Sequence, residues 1–135
     1  MAIDQSVEKK LGGRLLDSEG RRNGGEVWGK TSDWCDYSGP LDGRWVGITL
    51  FSSPDNFRPS WNHARDYGFL AVNPFGRAAF TKGEPSRVVI PPGETLTLHF
   101  GVYVHESADE SGCSLKDLYR QYIQPAPTRP GSTPR

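Results

Sequence analysis

Asp42 and Gly43 stand between two segments with the composition of β-strands, and this pair constrains the fold more than any other feature of the chain. An Asp-Gly pair is a two-residue hairpin signal, because the tight turn needs positive φ and glycine supplies it without a steric cost. Upstream lies "EVWGKTSDWCDYSG", with Val27, Trp28, Trp34, Cys35 and Tyr37; downstream lies "RWVGITLFSS", dense in β-branched and aromatic residues. The spacing predicts antiparallel neighbours over residues 30–38 and 44–51.

A second pattern supports the same class. In "ETLTLHFGVYVHE", Leu96, Leu98, Phe100, Val102 and Val104 alternate with Thr95, Thr97, His99, Gly101, Tyr103 and His105. A period of two places the first set on one face of a strand and the second on the other. "SRVVIPP" and "DYGFLAVNP" read as further strands, "SSPDNFRPSWNHA" as a long irregular link, and "GRAAFTKGEP" as a short piece ending at Lys82-Gly83. One helix is predicted in "SGCSLKDLYRQYIQ": Ser114 is the N-cap, Asp117 completes an imperfect capping box, and Leu115, Leu118, Tyr119 and Tyr122 make the apolar stripe. The expected fold is all-β: an antiparallel sandwich, whole or half of a larger one, with one C-terminal α-helix. No βαβ spacing and no phosphate-loop motif are present, which argues against a dinucleotide fold.

The chain divides into an N-terminal arm (1–24), a sandwich domain (25–123) and a Pro-rich tail (124–135), with firm order expected from just after Gly25. At 135 residues it fits one domain. Sixteen basic and sixteen acidic residues cancel, so no long-range field draws it to nucleic acid. The N-terminus lacks the apolar segment of a signal peptide, and no apolar run is long enough to span a bilayer. These features predict a cytoplasmic protein, or a secreted one if a leader has been removed, with no membrane partner. Cys35 and Cys113 read as small apolar residues rather than as a disulfide scaffold.

The densest chemistry lies in "PSWNHARDYGFLAVNPFG". A histidine can carry a proton near neutral pH, which makes His63 a candidate, with Asp66 or Asp36 as its carboxylate partner; alternatively it pins the loop through backbone hydrogen bonds. Arg65 offers a planar fork to an anionic group or pairs with Asp66. Asn73 precedes Pro74 and can open a turn. Trp61, Tyr67 and Glu26 complete the candidate binding set. Were residues 26–36 one unbroken strand, Glu26, Lys30 and Asp36 would share a face. The four tryptophans are either core or sugar-stacking surfaces. His99 and His105 lie about 20 Å apart along a strand and cannot share one ion, and no cysteine pair has zinc spacing; no metal site is assigned and any cofactor is unknown.

"GGEVWGKTSDWCDYSGPLDGRWVGITLFSSPDN", "WNHARDYGFLAVNPFG", "GETLTLHFGVYVHE" and "LKDLYRQYI" together resemble the C-terminal part of the bacterial methane oxygenase PmoA-like family, a domain of unknown function. The resemblance implies a β-rich sandwich tied to carbohydrate catabolism. It matches Glu26, Trp28, Asp36, Tyr37, His63, Arg65, Asp66, Tyr67 and Asn73, and carries no catalytic assignment to them. Members of that family have a further N-terminal β region, so the resemblance also implies a homodimer or a partner β-subunit covering an exposed sheet. Three functions are therefore expected in competition. The first is an acid–base enzyme (isomerase, epimerase or lyase-like) acting on a sugar or oxidised sugar, with His63, Asp66 and Asp36 catalytic. The second is a non-catalytic carbohydrate-binding module. The third is an accessory subunit completing a larger β-sandwich.

Overall fold

The computed structural model describes residues 13–124. Strands β1 (Arg14–Asp17), β2 (Trp34–Leu41), β3 (Arg44–Ser52) and β6 (Phe100–Ser107) form an antiparallel sheet in the order β1-β2-β3-β6, and β4 (Trp61–Arg65) pairs with β5 (Phe69–Asn73) in a second. Three helices accompany them: α1 (Asn23–Val27), α2 (Arg77–Thr81) and α3 (Leu115–Ile123). The two antiparallel sheets make a sandwich-like arrangement with a C-terminal helix.

The hairpin forms where Asp-Gly requires it. β2 and β3 pair from Trp34↔Phe51 to Leu41↔Arg44. Between them Asp42 (φ 49°) and Gly43 (φ 77°) both take positive φ, the twist of a two-residue turn. The predicted helix also forms over its stripe. Leu115 and Tyr119 are buried against Trp34 and Phe51, with Leu118 and Tyr122 packed beside them. Ser114 bonds the Asp117 carboxylate (2.7 Å) rather than the helix backbone, so the expected cap is only partial.

Four expectations change. Residues 26–36 are not one strand: α1 ends at Val27, Gly29 turns the chain at φ 70°, and β2 begins at Trp34. Glu26 and Lys30 therefore do not share a face with Asp36. Order begins before Gly25, because β1 pairs with β2 from Arg14↔Ser38 onward and Leu15 is fully buried. "WNHA" lies in a strand rather than a link, since Asn62 N and O bond Lys30 O and Gly29 N (2.8 Å each) and hold β4 to the turn after α1. Finally, "SRVVIPP" and "TLTLH" form no strand, and Val89 and Ile90 are exposed. The Pro-rich tail beyond residue 124 and residues 1–12 of the arm lie outside the described residues.

The alternation along the large sheet sorts its side chains onto two faces. On one, Leu15, Cys35 and Tyr37 pack against Val27 of α1, Ala64 of β4 and Leu70 of β5. On the other, Trp34 and Phe51 pack against α3. Both cysteines are free, and burial beside Asp17 and Asp36 pushes the Cys35 thiol far up.

Tyr119 seats α3 by donating its hydroxyl to Ser52 O (3.1 Å). Burial, then nearby Asp33 and Tyr122, pushes its phenol from the ordinary 10.0 up to about 12. The folded state thus disfavours the phenolate. The stabilisation is present in full below pH 10 and is lost as the pH rises toward about 12. Tyr119→Phe is expected to cost about 1 kcal/mol near neutrality, for the lost hydrogen bond, and to flatten the alkaline limb of stability. Chemical denaturation of both proteins across that limb checks this; parallel curves would contradict it.

Candidate functional site

The residues of the "HARD" segment divide between two surroundings. β4 turns Asn62 and Ala64 inward and leaves His63 and Arg65 on the other side. Trp28, at the C-cap of α1, lies beside both. The Arg65 guanidinium carbon stands 5.2 Å over its ring, and the His63 ring meets it edge-on at 6.4 Å. Phe69 (4.9 Å) and Phe80 (5.2 Å) pack on the same imidazole. Among the described residues His63 has no carboxylate partner; aromatic rings surround it instead.

Asp66 turns elsewhere. Its Oδ1 accepts from Gly24 N (2.7 Å) and ties the β4–β5 hairpin to α1. Gly24 is needed for that approach, because a Cβ there would lie 2.5 Å from the same oxygen. Glu26 accepts from Arg22 N (2.8 Å) in the first turn of α1. Asn73 accepts from Phe75 N (2.8 Å), the Asx turn that ends β5. Trp61 is half-buried opposite Asn73, and Tyr67 stands 65 % exposed in the β4–β5 turn. An open hollow of about 260 Å³ is lined by Gly24, Gly25, Trp28, Ala64, Arg65 and Asp66. It brings the guanidinium and the carboxylate together and leaves the imidazole out.

The histidine–carboxylate pair lies in the large sheet. Asp36 on β2 is fully buried and accepts three hydrogen bonds: Thr49 Oγ1 (2.7 Å) and His105 Nε2 (2.7 Å) on Oδ1, and Ser38 Oγ (2.6 Å) on Oδ2. β3 separates β2 from β6, so the His105 side chain must cross it. It does so over Gly47, its register partner, where a Cβ would lie 2.5 Å from both His105 Nε2 and Ser38 Cβ. With Nε2 donating to Asp36, the other ring nitrogen, Nδ1, is buried without a partner. His105 is only 6 % exposed, so the pair works as a tie across three strands. The sequence singled out Asp36 but not His105. The signal it did contain was Gly47, since glycine inside a strand marks a close approach. Among the described residues no group of three or more His, Cys, Asp or Glu is placed to hold a metal ion.

The third feature is apolar. Ile48 and Leu50 stand next to Val104 and Val102 in the β3–β6 register, on the face that buries Leu15, Cys35 and Tyr37 at its other half. That layer does not reach β6. Val102 is 67 % exposed, Val104 72 %, Ile48 45 % and Phe100 42 %. Arg44 and Glu106 pair at 2.9 Å at the end of the strip. Asn56 clamps the entry to β6, accepting from His99 N (2.7 Å) and donating to His99 O (2.9 Å).

These features define a small two-sheet β domain with a tied sheet and one open apolar half-face. The chain belongs to a family of unknown function (DUF6807), whose model matches residues 3–115. No curated protein and no solved structure matches it. The family match corrects the resemblance to methane oxygenase PmoA-like proteins, and among the described residues no helix is long and apolar enough to cross a membrane. The expected carbohydrate binding rested on that resemblance and on the tryptophans as sugar-stacking surfaces, and neither the family match nor the geometry supports it.

Proposed function

We propose that this chain is a structural, protein-binding subunit whose open half-sheet takes a second β-layer and so completes a larger sandwich. One observation carries this: a single sheet face is covered by α1, β4 and β5 over β1 and β2, only partly over β3, and left bare over β6, where Val102 and Val104 are 67 % and 72 % exposed. Contiguous apolar surface of this kind marks an interaction site. Covering the four exposed side chains is worth roughly 5 kcal/mol at about 25 cal/mol per Å². The β-patterned "SRVVI" segment, left without a strand partner, fits a sheet that is incomplete in one chain.

Less supports an acid–base enzyme. His63 is ringed by aromatic side chains, and the pair Asp36–His105 is buried. The dye anilinonaphthalene sulfonate is expected to fluoresce on the dilute folded chain and to lose most of that signal in Val102→Lys/Val104→Lys. A folded, monomeric wild-type chain that leaves the dye dark would overturn the proposal.

A further inference from the structure

We infer that the second layer is another copy of this chain, with the two open half-faces packed against each other across a two-fold axis. The inference rests on the strip being a docking surface, as proposed above, and adds the identity of its occupant.

Charge points to self-association. Ile48, Leu50, Phe100, Val102 and Val104 make a strip without an ionisable group, and at its end Val46 stands opposite Glu106. Its flanking charges, Arg44 and Glu106, already neutralise each other at 2.9 Å. A two-fold contact sets one patch against itself, so any net charge on the patch would meet its like. Here there is none to oppose, and the arrangement is that of an apolar centre with a polar rim. A partner chosen by charge would instead need an unpaired charge at that rim.

The rest of the chain offers little to cover the strip. Residues 125–135, "PAPTRPGSTPR", contain four prolines and no large apolar side chain. Residues 1–12 bring Ile3, Val7 and Leu11 as their only branched apolar side chains. A second copy supplies what the strip lacks, an equal area of Val, Ile, Leu and Phe at the right spacing. Aligned sheets pack about 10 Å apart through such side chains.

Sedimentation velocity of the full chain at micromolar concentration tests this, with Val104→Lys in the strip and Tyr67→Lys at the 65 % exposed hairpin tip as the control. Wild type and Tyr67→Lys are expected at twice the 15.0 kDa of one chain. Val104→Lys is expected to weaken dimerisation by roughly 100-fold with an unchanged far-UV spectrum. A dimer broken by Tyr67→Lys and not by Val104→Lys would overturn the inference by placing the contact on the other sheet. A wild-type monomer that still binds the dye would remove the second copy and keep the docking face, whose occupant is then a different protein. A wild-type monomer that binds no dye would remove both.

Discussion

Gly47→Ala is expected to destabilise the fold by roughly 3 kcal/mol or more, a large effect for one methyl group on an ordinary strand. The new Cβ would lie 2.5 Å from His105 Nε2 and from Ser38 Cβ, and 2.6 Å from His105 Cε1. Those atoms are not free to move. Ser38 belongs to the neighbouring strand, and the imidazole is held to Asp36 at 2.7 Å. The ring must leave its bond or the strands must part. Urea denaturation measures the loss, and a double mutant separates the causes. If the clash with the ring dominates, Gly47→Ala/His105→Ala will cost much less than the sum of its parts. A single-mutant change within about 0.5 kcal/mol would show that the ring does not lie over Gly47.

Asp36→Ala is the second large effect, expected at roughly 3–5 kcal/mol. Asp36 is the acceptor for Ser38, Thr49 and His105 together, in a place with no solvent to replace it. Removing it leaves three buried donors unpaired, each costing about 1–3 kcal/mol before relaxation. Asp36→Asn keeps the shape and one acceptor oxygen while turning an amide donor toward a hydroxyl, so it is expected to fall between wild type and Asp36→Ala. Equal stability of Asp36→Ala and wild type in the same titration would refute the tie.

Local chemistry made part of this fold legible. Asp42-Gly43 needs only itself and its flanking strands, and α3 is announced by its apolar stripe. β4 escaped notice because its inward residues are Asn62 and Ala64. Asn62 Nδ2 donates to Ser32 Oγ at 2.7 Å, thirty residues away, a contact that no periodicity reveals. "SRVVI" failed the other way: its pattern is that of a strand, yet a strand also needs an edge to pair with. For the candidate site, His63 and Arg65 were readable as chemistry-bearing residues, while Trp28 beside both was not. Asp36 and His105 are 69 residues apart, and their meeting depends on a register running through β3.

In the single chain the large sheet is covered on one half of a face and bare on the other, and both the docking face and its occupant depend on that asymmetry. Solvent paramagnetic relaxation of methyl groups, recorded on the dilute protein, reads it directly. The methyls of Val102, Val104 and Ile48 should relax strongly, while those of Leu15 and Val27, both 0 % exposed, stay shielded. Val102 and Val104 methyls as shielded as those of Leu15 in a monomeric sample would contradict it, because residues of the same chain would then already occupy the face.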